Sequence, residues 1–310
     1  MIHLDASALA ARLDRRTLID ALDAAFRKPH VVPGRMHYEI NAPHAGARPG
    51  TLLVMPAWRA GGSLGIKVAT IFPDNALRGL PAVAATYLLL DAGTGQPRAL
   101  LEGAELTLRR TAAASALASR HLSRADASRL AMVGTGRLAP HLIESHAAVR
   151  PVREVRIWGR HSERARSLAA ALDRPDLSVE AAPDLEAAVR WADIVSCATL
   201  SQKPLVLGAW LKPGQHLDLV GAFTPQMAEC DDEAVARAEL YVDTRIGAFA
   251  ESGEIIQALE RGVIDRGAVR AELSELGSGR FARSAADVVT LFKSVGTALE
   301  DLVAAELAVR

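Results

Sequence analysis

The run Gly134-Thr135-Gly136-Arg137-Leu138-Ala139 carries the clearest chemical signal in the chain. It reads G-x-G-x-x-A, follows an apolar stretch at Leu130 to Val133 and opens a helical pattern at Pro140 to Val149. In that context Gly134 and Gly136 let the backbone approach a pyrophosphate, whose charge the N–H groups of a helix start can meet. Ala139 fills the third small position, where helix and strand pack closely, and Pro140 suits a first turn because its missing N–H has no intrahelical partner there. A site for NAD usually ends its second strand, about 20 residues on, with an acid that accepts from the ribose hydroxyls. Here that place reads Gly159-Arg160-His161-Ser162. A carboxylate about 4 Å from a 2′-phosphate would cost on the order of 4 kcal/mol per unit charge at an effective dielectric near 20, whereas Arg160 and Ser162 attract it. The expected cofactor is NADP(H), with NAD(H) as the second choice.

Other chemistries lack their residues. The nine histidines include no H-E-x-x-H pair, and His141 and His146, five apart, do not share a helical face, so no metal is expected. No G-x-S-x-G elbow is present. Cys197 and Cys230 are the only cysteines and their spacing suggests neither zinc nor a redox pair. Formal net charge is zero with basic residues spread along the chain, which argues against nucleic acid or an anionic membrane as partner. The start, Met1-Ile2-His3-Leu4-Asp5, has no basic stretch leading into an apolar one, and no apolar run approaches the roughly 20 residues of a span. A cytoplasmic protein acting on a small molecule is the expectation.

The elements that must position these residues suggest two domains, since single cores usually stop growing near about 250 residues and the chain has 310. Residues 7–27 space Leu9, Leu13, Leu18, Leu22 and Phe26 as an amphipathic helix. Short β-type runs follow at Thr51 to Met55, Leu64 to Phe72 and Ala82 to Leu90, then a helix at Glu105 to Leu122. From Arg129 strand and helix signals alternate: Glu154 to Trp158, Ser178 to Ala181, Leu185 to Trp191, Ile194 to Cys197 and His216 to Val220. That alternation is the mark of a parallel sheet with crossover helices. Ser284 to Val309 reads as one long helix with Val288, Leu291, Val295, Leu299 and Leu302 on one face, returning to the first domain. The fold class is therefore α/β, a Rossmann doubly wound parallel sheet plus a discontinuous α+β domain. The expected limits are 1–118 with 295–310, and 119–294.

Several further motifs occur in a fixed order: Leu53-Val54-Met55-Pro56-Ala57, Gly65-Ile66-Lys67-Val68 with Phe72-Pro73, Gly79-Leu80-Pro81, Leu106-Thr107-Leu108-Arg109-Arg110-Thr111-Ala112-Ala113, and Phe292-Lys293-Ser294-Val295-Gly296 with Glu300-Asp301. Together they make the chain resemble the ornithine cyclodeaminase/mu-crystallin family over nearly its whole length. The resemblance implies a homodimer whose subunits carry a substrate and dimerisation domain and an NAD(P)-binding domain. It implies that Arg35, Lys67 and Arg110 hold a substrate carboxylate and that Met55 and Thr86 line the pocket. A planar guanidinium suits that task, since it binds carboxylate bidentately. By its position alone, between Ile66 and Val68, Lys67 reads equally as an edge-strand lysine. The resemblance extends the cofactor surface to Thr111, Thr135, Arg137, Leu138, His161, Ala198, Thr199, Gly221, Phe223, Lys293 and Ser294, with Gly277 to Arg280 and Lys293-Ser294 closing over the nicotinamide.

One departure bears on the reaction. In Gly221-Ala222-Phe223-Thr224-Pro225, Phe223 stands where the cyclodeaminases carry an aspartate for the substrate's side-chain amine. Phenylalanine accepts no proton. Glu229 or Asp231 from a shifted loop is the alternative source of a carboxylate. Reduction of a cyclic imino acid, such as Δ1-pyrroline-2-carboxylate, needs no such group, and Lys67 is the expected proton donor. Ornithine cyclodeamination, an open-chain amino-acid dehydrogenase like alanine dehydrogenase, and a non-catalytic binder of NADPH and a small ligand remain the other readings.

Overall fold

The computed structural model describes residues 1–42, 44 and 46–310, with the side chain of residue 76 left aside. Two compact units make up the chain, residues 1–110 with 297–310 and residues 111–296. The crossings fall between Arg110 and Thr111, inside the helix Gly103–Leu122, and between Gly296 and Thr297. They differ from the expected 118/119 and 294/295 because an unbroken helix runs through the first boundary and offers no change of composition to mark it.

The first unit is built on a six-stranded sheet of β1 (Ile2–Leu4), β2 (Met36–Ile40), β3 (Gly50–Trp58), β4 (Ser63–Ile71), β5 (Val83–Asp91) and β6 (Pro97–Glu102), in the order β1-β6-β5-β4-β3-β2. Only the β1–β6 pairing is parallel. Side chains alternate between faces. Met55, Lys67, Tyr87 and Leu101 are lateral neighbours in register, and all four are buried. The helix Ala298–Ala308 covers that side, packing on β3, β4 and β5 and on the helix Arg15–Phe26. Its residues are buried nearly all round, which explains its Ala and Leu content. The next row, Met36, Val54, Val68 and Thr86, points to the opposite face. There Met36, Tyr38 and Val68 stay 39, 52 and 41% exposed.

The amino-terminal helix expected over 7–27 is two helices, Ala6–Arg12 and Arg15–Phe26. Asp14 starts the second, its carboxylate accepting from the Thr17 N–H at 2.9 Å. That cap satisfies a helix-start donor and outcompetes continuation of the first helix.

The second unit holds an eight-stranded sheet: β7 (Arg129–Val133), β8 (Glu154–Trp158), β9 (Ser178–Ala181), β10 (Ile194–Cys197), β11 (His216–Leu219), β12 (Glu239–Val242), β13 (Val269–Glu272) and β14 (Thr290–Lys293). Its order is β13-β12-β14-β11-β10-β7-β8-β9 and every pairing is parallel. The chain builds outward from β7 to β9, then returns to lay β10 on the other side of β7. This is the doubly wound order of a Rossmann fold, with its switch point between β7 and β10. Both faces are covered, so strands carry apolar residues at consecutive positions. Ala131 and Val133 pack into one layer with Val195 and Cys197, while Leu130 and Met132 pack into the other with Ile157 and Ile194.

The helix expected over 284–309 requires correction. Thr290–Lys293 is the buried strand β14, and the helix begins only at Ala298, beyond Gly296 with φ +84°. Val288-Val289-Thr290-Leu291-Phe292 is a largely apolar run broken only by Thr290, which a 3.6-residue period and a doubly buried strand fit equally well. Placement between β11 and β12 selects the strand.

Asp193 joins the starts of the two switch-point strands. Its carboxylate accepts from the N–H groups of Ser128 and Arg129, both at 3.0 Å, and from Arg124. Burial alone would raise its pKa, but the Ser128 N–H and the Arg129 guanidinium hold it below the ordinary 3.8. A carboxylate depressed in the folded state contributes stability above its unfolded value and loses it as pH falls through the folded one. Asp193→Asn is therefore expected to lose about 1.5 to 3 kcal/mol at pH 7. Urea midpoints should show the gap from wild type shrinking below about pH 4; a gap of the same size at pH 3 would contradict this.

Candidate active site

In the first unit, β4 carries Lys67 at an inward position, because Ser63, Gly65, Lys67 and Ala69 alternate onto the buried face. A lysine 4% exposed must find a partner. Asp301, from the covering helix, supplies it: Lys67 Nζ donates to Oδ2 at 2.7 Å, and Arg110 Nε donates to Oδ1 at 2.9 Å. Arg110 also donates to Glu300. Arg110 lies on the helix Gly103–Leu122, whose first turn is capped by Glu102 accepting from the Ala104 and Glu105 N–H groups.

Burial lowers the pKa of Lys67 from 10.5 to about 8, with Asp301 opposing and the charges of Arg110 and Arg35 adding to the fall. Burial acts against the Asp301 carboxylate too, but Arg110 and Lys67 keep it below its ordinary value. Arg110 is driven upward, its desolvation outweighed by Asp301 and Glu300. Arg35 is half-buried and its charge reaches both Lys67 and Asp301. Lys67 and Arg110 thus share Asp301, Arg110 also reaches Glu300, and the charge of Arg35 acts on both Lys67 and Asp301.

In the second unit, the turn after β7 has the geometry of a dinucleotide cradle. Gly134 has φ +125°, and a β-carbon there would stand 2.6 Å from the Ala198 carbonyl oxygen. Glycine is required on both counts. At Gly136 a β-carbon would meet nothing within 4 Å, so this backbone is open to a ligand. The helix Leu138–Val149 follows, its start at Arg137 uncapped by any side chain among the described residues. At the end of β8, Gly159 accommodates Thr135, whose Cγ2 would lie 2.7 Å from an added β-carbon. Arg160, His161 and Ser162 are exposed next to it at the start of the helix Ser162–Leu172, and no side chain among the described residues caps that start. A guanidinium beside uncapped N–H groups makes the local potential positive.

The segments after β10 and β11 complete this edge. Glu229, fully buried, accepts from the Thr199 N–H and hydroxyl with Oε1 and from the Gly221 and Ala222 N–H groups with Oε2. Burial raises its pKa and the Lys293 ammonium opposes. Asp231 accepts from the Gly208 and Ala234 N–H groups as a helix cap. Neither acid replaces the carboxylate missing at Phe223, which is itself exposed.

Register brings Met55 beside Lys67, but Thr86 lies one row over, on the exposed face with Val68, so it does not join them. The strand period of two decides this, and a motif position does not reveal it. Lys293 and Ser294 do not present free side chains to a nicotinamide: Lys293 is buried 3.1 Å from Glu254, and the Ser294 hydroxyl donates to Asp243. Thr111 is buried next to Arg110 on the same helix, while Ala198 is half-buried and Leu138 opens its helix. Sequence reasoning gave no role to Asp301 or Glu300. The available signal was two adjacent acids in the otherwise apolar Ala298-Leu299-Glu300-Asp301-Leu302-Val303. Among the described residues no cluster of three or more potential metal ligands occurs, and no helix is long and apolar enough to cross a membrane.

With this geometry in hand, similarity to known proteins is informative. The sequence profile of the Ornithine cyclodeaminase/mu-crystallin family matches residues 4–309. Protein SAR DEFICIENT 4 of Arabidopsis thaliana is 43% identical over 89% of this chain and 85% of its own length. The Delta(1)-pyrroline-2-carboxylate reductase of Paracoccus denitrificans is 37% identical over 96% of this chain and 93% of its own. Among solved structures, the Thermococcus litoralis Delta(1)-pyrroline-2-carboxylate reductase in complex with NADH and L-proline superposes with a TM-score of 0.93 at 32% identity, covering 100% of this chain and 96% of that one. A buried Lys67–Asp301–Arg110 cluster and a glycine turn at a Rossmann switch point thus occur in a chain that belongs to the ornithine cyclodeaminase/mu-crystallin family.

Proposed function

We propose that this protein reduces the C=N bond of a cyclic imino acid such as Δ1-pyrroline-2-carboxylate, using a nicotinamide dinucleotide and preferring NADPH to NADH. The observation that carries the reading is the buried Lys67–Asp301–Arg110 cluster, with the charge of Arg35 beside it. Its buried cations suit a substrate carboxylate, and the anchorage of Lys67 on a sheet and of Arg110 on a helix, both held by Asp301, gives that carboxylate one orientation. Absence of an acid at Phe223, with Glu229 and Asp231 engaged elsewhere, favours imine reduction over release of a side-chain amine. A solved relative with NADH and L-proline bound, the product type of such a reduction, supports the same chemistry.

When bound, the dinucleotide supplies the hydride that the C=N carbon accepts. The chain's own residues do the rest. Arg110 and Arg35 hold the carboxylate, and Lys67 holds a proton that it can release near neutral pH, because burial brings its pKa to about 8. Asp301 orients both Lys67 and Arg110. On the dinucleotide side, Gly134 and Gly136 admit the pyrophosphate, while Arg160 and the helix start at Ser162 attract a 2′-phosphate. The exposed apolar sheet face around Met36, Tyr38 and Val68 supports pairing of two copies, since a monomer rarely leaves so continuous an apolar surface open.

Three outcomes are expected. The value of kcat/KM for imine reduction should fall as pH rises through about 8 while Lys67 loses its proton, and Lys67→Met should retain only residual turnover without that descending limb. An unaltered pH profile in the variant would remove the lysine from proton transfer. Arg160→Ala should raise the KM for NADPH roughly tenfold or more and leave that for NADH nearly unchanged, by loss of one charge-assisted contact; equal effects on both would remove Arg160 from recognition of the 2′-phosphate. Light scattering should give a dimer for the wild-type chain and a shift toward monomer for Val68→Asp, and a Val68→Asp dimer of undiminished affinity would place the contact elsewhere.

A further inference from the structure

We infer that Glu229 is a positioning residue for the dinucleotide, a single buried carboxylate that binds the segments following β10 and β11 to each other. This rests on the dinucleotide reading proposed above and adds a residue with no direct ligand contact. Strands β10 and β11 are neighbours, paired from Ile194 with His216 to Cys197 with Leu219, and β10 forms the switch point with β7. In open α/β sheets a ligand lies beyond the carboxyl ends at that point. The chain leaves those ends as Ala198-Thr199 and Val220-Gly221-Ala222.

One oxygen of Glu229 serves the first segment, accepting from Thr199 N at 2.6 Å and Thr199 Oγ1 at 2.9 Å; the other serves the second, accepting from Gly221 N at 2.7 Å and Ala222 N at 3.3 Å. With both oxygens occupied and the residue fully buried, Glu229 has no lone pair to offer a substrate proton. The two segments are in close contact, since a β-carbon on Gly221 would stand 2.0 Å from the Thr199 carbonyl oxygen. The support continues inward. Glu229 N donates to Glu254 Oε1 at 2.9 Å, and Glu254 Oε2 lies 3.1 Å from Lys293 Nζ at the end of β14. Lys293 therefore contributes through Glu254 and Glu229. Backbone held this way, its N–H groups committed inward, presents fixed carbonyl groups at the cofactor edge, which lowers the ordering cost of binding.

Fluorescence titration of NADH and NADPH against wild type, Glu229→Gln, Thr199→Val and the double variant tests this. The glutamine keeps the shape but turns an NH2 toward one pair of donors, so the dinucleotide Kd should rise at least tenfold in a protein with unchanged circular dichroism. Thr199→Val removes the hydroxyl donation to Glu229 and a long acceptance from the Ser201 N–H at 3.4 Å, and should raise Kd by a smaller factor. The double variant should match Glu229→Gln alone, because the hydroxyl acts through the carboxylate. Wild-type binding with a Glu229→Gln Kd within twofold of it overturns the inference, as do fully multiplicative effects. If Glu229→Gln fails to fold, Thr199→Val should still speed amide exchange at Gly221 and Ala222, and unchanged exchange there overturns the inference equally. Wild-type protein that binds neither dinucleotide would instead overturn the functional reading on which it rests.

Discussion

Asp301 is the carboxylate on which the substrate side of this protein depends. It sits on a helix buried nearly all round, and its two oxygens take Lys67 from the sheet and Arg110 from the helix Gly103–Leu122. Two cations cannot occupy an apolar layer without a partner, since the desolvation of each costs several kcal/mol. The acid therefore makes their burial tolerable and fixes their directions.

The turn after β7 follows another logic, in which backbone conformation decides. At Gly134 the chain needs both a left-handed conformation and room for the Ala198 carbonyl, and at Gly136 it leaves open space. Asp193 joins β7 and β10 at the end of the sheet remote from the ligand edge, while Glu229 joins the segments after β10 and β11 near it. Buried carboxylates with several N–H donors each thus set the backbone on both sides of the switch point. Such groups are costly unless fully satisfied, which is why they also specify one arrangement.

Much of this was legible in the residues. The G-x-G-x-x-A turn with strand before and helix after, the absence of an acid at Arg160 and the alternating strands from Arg129 onward all act locally, over one or two turns of chain, so their order reveals them. Asp14 breaking the first helix is equally local, yet two amphipathic segments in phase concealed it. Val288 to Phe292 was misread because a doubly buried strand and a buried helix share an apolar composition, and only the neighbours β11 and β12 distinguish them.

The amino-acid order by itself determined the fold class, the site of the cradle and the types of cation available, because periodicity and turn chemistry are properties of short segments. Tertiary structure alone decided which acid meets which base. Lys67 and Asp301 are 234 positions apart, and Thr199 and Glu229 are 30 apart. It also decided that Thr86 faces away from Lys67, since strand register sets the face of every side chain at once. Long-range pairing of buried charges depends on how sheets and helices close on one another, and no local pattern encodes that.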